Sequence, residues 1–279
     1  MLVKINPGIE IQDIRCADLH LHTVYCDGKK TPEEMVQAAI AKGLSCIGFS
    51  GHSFVDFEPE VGMDKEAERD YLREVARLKQ AYAGQIRIWC GTELDYHSLP
   101  EPGTAFYAEK LRWYKEHYDY LIGSVHYIPV PGNEGGETPA AVDDTPEIFR
   151  DAAERCYGGD YYRVAEAYYE LEADVVRRTD CDIIGHFDLI SKFNEKYHFF
   201  DEQHPRYRKA WQRAADALLS TGRVFEINTG AISRGWRTDA YPATEIRQYI
   251  LEHGGRMILS SDSHSTETVG YREVWSGTV

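Results

Sequence analysis

The chain has 279 residues, with 31 Lys and Arg against 46 Asp and Glu, giving a formal net charge of −15 with histidine neutral. So acidic a chain lacks the basic footprint needed to displace a nucleic acid's counterions, and no nucleic-acid partner is expected. A composition of 43% hydrophobic and 28% charged residues, with 23 Gly and 11 Pro, excludes a disordered or fibrous chain and supports a sizeable core. No run approaches the roughly 20 apolar residues that span a bilayer, and Met1 to Asp13 lacks the apolar core of a signal peptide. A cytoplasmic address and no membrane partner are therefore expected. The six cysteines, Cys16, Cys26, Cys46, Cys90, Cys156 and Cys181, form no C-x-x-C pair and read as reduced thiols.

Short apolar runs alternate with longer segments of helical period, the pattern of repeated β-α units around a mainly parallel sheet. Seven runs fit buried strands: Ile14–His20, Leu44–Ser50, Ile86–Glu93, Tyr118–His126, Asp182–Phe187, Val224–Asn228 and Met257–Asp262. Several lack strict alternation, as strands covered on both faces should. Between the first two, Thr31-Pro32-Glu33-Glu34 supplies an N-cap, a first-turn proline and a capping-box glutamate, and Gly43 closes that helix. Asp64 caps a helix running to about Tyr82. Further helices are expected over Asp160–Thr179, over Glu202–Thr221, and from Tyr241-Pro242 to Gly254. Residues 129–145 are rich in Gly, Pro, Asp and Glu and read as a surface loop inserted over one end of the sheet. Without a repeat or a clear linker, residues 1–279 are expected to form a single domain.

The unusual residues fall at one end of these runs. His20 and His22 close the first run, alternate residues of an extended chain that face the same side, and Asp27 follows five residues after His22. The second run leads to His52, the third to Glu93, the fourth to His126, the fifth to His186, and the last to Asp262 and His264. Parallel α/β sheets and barrels carry their functional groups at the carboxyl ends of strands. A lone histidine there is usually a hydrogen-bonded rim residue, but six at equivalent positions would need six coincidences. Six imidazoles with three carboxylates exceed one tetrahedral site and suit two or three neighbouring divalent ions. Such ions generate hydroxide near neutral pH and clamp the oxygens of an in-line displacement, which favours phosphoester hydrolysis. No P-loop, dinucleotide fingerprint or G-x-S-x-G nucleophile motif is present. His97, His117, His198, His204 and His253 fall elsewhere and read as structural, with His97 nearest the Glu93 strand end.

The sequence resembles the PHP superfamily, named for polymerase and histidinol phosphatase, and within it the monofunctional histidinol phosphatases. The resemblance rests on Asp18-Leu19-His20-Leu21-His22-Thr23 with Asp27-Gly28, Gly51-His52-Ser53, Gly91-Thr92-Glu93, Gly123-Ser124-Val125-His126, Gly185-His186-Phe187-Asp188, Glu226-Ile227-Asn228-Thr229 and Ser260-Ser261-Asp262-Ser263-His264. It implies a distorted seven-stranded (β/α)7 TIM-like barrel of the α/β class with a trinuclear site of Zn, Mn or Fe. His20, His22, Glu93 and Asp262 would hold one ion. Glu93 would bridge to a second on His126 and His186, and Asp27, His52 and His264 would hold a third. A metal-bridged hydroxide would then release L-histidinol and phosphate from L-histidinol phosphate, with Glu93, Asp262 and His264 the core of catalysis.

A dianionic substrate also needs cationic side chains. Arg234, after the sixth strand, is the first candidate, Lys192 the second and Arg237 the third; for each a solvated surface charge is the competing reading. Two other functions share these residues: hydrolysis of another small phosphate ester, such as a nucleotide or sugar phosphate, and metal binding without turnover. The sequence sets no oligomeric state. Only Ser265 to Val279 follow the last expected ligand, where relatives carry a fuller final helix, so a loose or partner-covered close is expected.

Overall fold

In the computed structural model, which describes residues 2–130 and 138–272, seven parallel strands stand side by side in chain order. They are β1 Ala17–Asp18, β2 Cys46–Phe49, β3 Arg87–Asp95, β4 Tyr120–Ser124, β5 Ile183–Ile184, β6 Val224–Asn228 and β7 Arg256–Ser260. Just past their ends the first and last segments meet. A parallel bridge joins Leu21 to Ser263, with the His22 N–H donating to the Ser263 carbonyl at 2.8 Å and the Ser263 N–H to the His20 carbonyl at 3.2 Å. This seam brings the sheet round into the expected barrel, a distorted one because β1 and β5 are only two residues long.

The longer helices are α1 Pro32–Ala41, α2 Lys65–Ala81, α3 Ala105–His117, α4 Pro146–Tyr157, α5 Tyr161–Thr179, α6 Pro205–Leu219 and α7 Thr244–Glu252. Their starts follow the expected chemistry. Thr31 and Glu34 form a complete capping box, and Asp64 and Asp160 each accept two backbone N–H groups of the first turn. Among the described residues no helix is long and apolar enough to cross a membrane.

Every expected strand run holds a strand: β6 matches its run in full, β3 runs on to Asp95, and elsewhere regular pairing covers less than the apolar run. Ile14–Cys16 turns as a 3-10 segment capped by Asp13, which postpones β1 to Ala17. Several described elements lie outside the expected ones. Val3–Asn6 and Ile9–Ile11 form an antiparallel hairpin whose alternate residues Val3, Ile5, Ile9 and Ile11 are buried. Helix α3 starts on a Thr104 cap, and α4 on Thr145-Pro146, which repeats the Thr31-Pro32 start. Of the 129–145 loop, residues 131–137 lie outside the described residues. Ala140–Ala141 pairs antiparallel with Tyr127–Ile128, so the end of the loop is strand rather than free surface.

The tail after the seam is pinned rather than loose. Val269 is buried, Lys42 donates to the carbonyls of Glu267 and Val269, and the Gly270 N–H donates to Asp18 at 2.8 Å. Residues 273–279 lie outside the described part.

Tyr120 lies across the barrel beneath the site. Its hydroxyl donates to the Leu19 carbonyl at 2.6 Å and the Phe49 carbonyl at 3.1 Å. Its ring occupies the space that a side chain would need at Gly48 or Gly91, where an added Cβ would come within 2.3 Å of it. Tyr120→Phe keeps the ring and strips a fully buried donor from two carbonyls, so about 1–3 kcal/mol of stability should go. Urea unfolding of metal-free protein reads this directly, and an unchanged midpoint would assign the hydroxyl no stabilising role.

Candidate metal centre and active site

Four strands deliver a functional side chain two residues beyond their last paired residue: His20 after β1, His126 after β4, His186 after β5 and Asp262 after β7. His52 follows β2 and is bridged to Glu93, which lies within β3. The seam between Leu21 and Ser263 sets His20 and His22 beside Asp262 and His264. Asp262 has a left-handed backbone (φ 51°), a conformation that aspartate adopts more readily than most non-glycine residues and that recurs at functional sites. Asp27 is placed by a tight turn in which the Gly28 N–H donates to the Thr23 carbonyl at 3.1 Å. A Cβ on Gly28 would lie 2.3 Å from the Thr23 nitrogen, so this turn requires glycine.

All nine expected ligands converge, with Glu93 at the centre. Oε2 of Glu93 lies 3.0 Å from His20 Nε2, 3.4 Å from His22 Nε2 and 3.1 Å from His52 Nδ1. Its Oε1 lies 2.9 Å from His186 Nε2 and 3.3 Å from His126 Nε2. Asp262 Oδ1 stands 3.4 Å from His22 Nε2 and 3.7 Å from His264 Nδ1, while Asp27 Oδ2 meets His264 Nε2 at 3.0 Å. Among the described residues, three groups have donor atoms within 4.8 Å of one another: His22, Asp27, His52 and His264; His20, His22 and Asp262; and His52, Glu93 and His126. The grouping differs from the expected partition in detail, since His22 joins the Asp27 group and His52 stands between two groups.

Burial opposes the charge of Glu93, but His20, His52 and His126 outweigh it and hold the carboxyl well below its ordinary range. Burial opposes Asp262 as well, and Arg234 and then His20 carry it the same way. His20, His22 and His126 are also disfavoured as cations by burial, yet the acidic groups facing them hold these imidazoles well above their usual range. Burial dominates at His52 and pushes it down to about 4. His20, His22 and His126 and these carboxylates therefore favour each other's charged forms.

The donor set fits cations. His22 Nε2 is buried without a hydrogen-bond partner, facing Glu93 and Asp262, and converging imidazole and carboxylate groups are the ligands that divalent transition metals take. A sign follows for metal loading. Ligand imidazoles that are protonated in the metal-free protein must lose a proton to bind, so loading at pH 7 should release protons and affinity should rise with pH. Calorimetry in buffers of different ionisation enthalpy measures that release, and a heat independent of buffer would contradict it.

Second carboxylates orient the ring nitrogens. His20 Nδ1 meets Glu226 Oε1 at 2.6 Å and His126 Nδ1 meets Asp95 Oδ2 at 3.0 Å, which turns each Nε2 toward Glu93. The sequence alone assigns neither residue this role, although Glu226 stands in the Glu226-Ile227-Asn228-Thr229 segment that carries the family resemblance. A sequence cue existed for both: Glu226 is a carboxylate inside the apolar run of β6, and Asp95 lies two residues from Glu93 on the same face of β3. Asp18, also unforeseen, accepts from the Ser261 N–H at 3.0 Å and from Gly270. It thereby fixes β1, β7 and the tail together.

Around these groups a cavity of about 370 Å3 is lined by, among others, Lys29, Tyr127, Asp143, Lys192 and Arg234. Arg234 donates to the Asp262 carboxylate and to its carbonyl, each at 3.0 Å. It reaches them over Gly230, where a Cβ would come within 2.6 Å of the guanidinium. Lys192 donates to the Asp143 carbonyl at 2.5 Å and to its Oδ2 at 3.1 Å. Arg237 departs from its expected place. It is buried outside this cavity, donating to the Ser191 carbonyl at 3.0 Å and facing Glu195 and Glu202, so it ties the segment after β5 to the segment after β6.

The remaining histidines lie apart from the cluster. His97 packs on Phe57 and Tyr127, His204 caps α6, and His117 and His253 bond to carbonyls of their own helices. None of the six cysteines is in a disulfide, and Cys26 Sγ lies 3.6 Å from His22 Nδ1.

A family model for the PHP domain matches residues 18–230. The "Probable histidinol-phosphatase" of Deinococcus radiodurans is 33% identical over 261 residues, covering 91% of this chain and 88% of that protein. A solved histidinol-phosphatase-type chain from Listeria monocytogenes superposes with a TM-score of 0.79 at 20% identity, covering 91% of this chain and 97% of its own. A histidinol phosphate phosphatase from Lactococcus lactis, solved with zinc, L-histidinol and phosphate, gives a TM-score of 0.64 at 21% identity, covering 90% and 86%. With its strand-end histidines and carboxylates gathered at the mouth of a seven-stranded barrel, this chain belongs to the PHP family.

Proposed function

We propose that this protein is a divalent-metal-dependent phosphatase that hydrolyses L-histidinol phosphate to L-histidinol and inorganic phosphate. The observation that carries the reading is one buried carboxylate, Glu93, within 3.4 Å of a nitrogen from each of five imidazoles, in a cavity that also holds Arg234. The relatives named as histidinol-phosphatases support the substrate, and the Lactococcus lactis protein, solved with zinc, L-histidinol and phosphate, supports the need for metal.

Three ions would be held, one by His20, His22, Glu93 and Asp262, the second by Glu93 with His126 and His186, and the third by Asp27, His52 and His264, with His22 and His52 close enough to a neighbouring group to be shared. Zn, Mn and Fe all suit this donor set. Bound there, divalent ions supply hydroxide near neutral pH and positive charge for the phosphoryl oxygens. The chain's own residues hold the geometry. Ser124 Oγ donates to Glu93 Oε1 at 2.6 Å and keeps that carboxylate central. Glu226 and Asp95 fix the faces of His20 and His126. Arg234, poised against Asp262, offers forked N–H groups to the phosphate oxygens, and Lys192 adds a second cation on the same wall.

The test is phosphate release after chelation and metal add-back, run on L-histidinol phosphate beside a panel of nucleotide and sugar phosphates. Activity is expected to vanish on chelation and return with metal, with L-histidinol phosphate among the best substrates by kcat/KM. A panel led by nucleotide or sugar phosphates would replace the substrate, and metal binding without turnover would remove the enzyme.

A further inference from the structure

The substrate just proposed carries two charges of opposite sign a few ångströms apart, a phosphate and an ammonium on the neighbouring carbon. The ligand end of the cavity answers only the first. Bound cations, Arg234 and Lys192 together create a positive field that draws the phosphate in and repels the ammonium. Some carboxylate that is not needed for metal must face that ammonium, or burial beside so much positive charge would cost affinity.

The lining beside Lys192 supplies a candidate. Beyond β4, Tyr127–Ile128 pairs with Ala140–Ala141, and the Val142 N–H donates to the His126 carbonyl at 2.9 Å. This strand end carries Asp143 into the cavity lining alongside Lys192 and Arg234. Its Oδ2 accepts from Lys192 at 3.1 Å, whereas no described residue donates to Oδ1. The other carboxylates of the lining that stand apart from the metal cluster fit less well. Asp144 is exposed, and Glu58 is engaged with the Tyr127 hydroxyl.

We propose that Asp143 is the residue that reads the substrate's ammonium group, and that it sets the enzyme's preference for phosphate esters of amino alcohols. The inference rests on the histidinol phosphatase reading. Asp143 stays paired with Lys192 while Oδ1 takes one ammonium N–H, so recognition needs no rearrangement of the wall.

The comparison that tests it uses two substrates, L-histidinol phosphate and its deaminated analogue 3-(imidazol-4-yl)propyl phosphate, on metal-loaded enzyme. Wild type should favour the amine in kcat/KM, and Asp143→Asn should shrink that preference by about tenfold or more, the worth of a charged hydrogen bond. Binding gives a second readout: by calorimetry L-histidinol should bind the variant about tenfold or more weakly, while inorganic phosphate binds as before. Because Asp143→Asn also weakens the latch to Lys192, Lys192→Met is the control. It breaks the same latch and should keep the preference for the amine. Equal losses on both substrates in Asp143→Asn, or the same collapse of preference in Lys192→Met, would overturn the assignment. A wild type that turns over neither imidazole ester but cleaves nucleotide or sugar phosphates would instead bring down the underlying function, and the inference with it.

Discussion

Glu93→Gln is expected to lower phosphate release by about a thousandfold, beyond the roughly 10–100-fold that follows loss of a ligand's orienting partner. The reason is geometric. Both oxygens of Glu93 are committed, Oε2 toward His20, His22 and His52 and Oε1 toward His126, His186 and Ser124. An amide keeps the volume but puts an NH2 where one set of ligands converges, and it removes the negative charge that balances neighbouring cations. Metal content by elemental analysis should fall below that of the wild type, with the fold retained by circular dichroism. Activity within tenfold of wild type, at full metal content, would remove Glu93 from the centre of the site.

The second large effect is expected one step further out, at Glu226. Its Oε1 takes the His20 Nδ1–H, and its Oε2 takes the His186 backbone N–H and the Asn228 side-chain amide, each at 2.9 Å. Every partner is a donor. Asn228 cannot turn over without loss, because its own Oδ1 accepts from the Gly230 N–H at 2.8 Å. In Glu226→Gln one end of the new amide must therefore face a donor with a donor. His20 loses its fixed orientation, and metal affinity should drop about 10–100-fold. Competition with a chromophoric chelator measures this without any turnover. Rescue of activity by excess metal would mark the defect as one of binding, and an unchanged affinity would show that Glu226 does not orient His20.

Much of this was legible in the chain. Histidine and carboxylate at the ends of apolar runs located the site because a parallel barrel brings all its strand ends to one rim, so residues from His20 to His264 can be gathered without knowing any contact. The first and last strands were read with their ligands but not their mutual bridge, since pairing between Leu21 and Ser263 depends on how the barrel curves. Glu226 and Asp95 escaped for a different reason. Their work is to accept from imidazole nitrogens, a role set by distance rather than residue type. Arg237 shows the converse: an arginine close in sequence to Arg234 turns away from the cavity because Ser191 and two glutamates face it from the neighbouring segment. The end of the 129–145 stretch misled as well, since its polar composition concealed a short strand that brings Asp143 to the mouth.

The seam has a consequence for how the protein is made. His20 and His22 leave the ribosome long before Asp262 and His264, yet the Leu21–Ser263 bridge sets them side by side. A nascent chain therefore holds only fragments of the centre until its seventh strand has emerged. Assembly of the full centre must wait for the seventh strand, and a chain stalled before Ser260 lacks the Asp262 and His264 that complete the cluster.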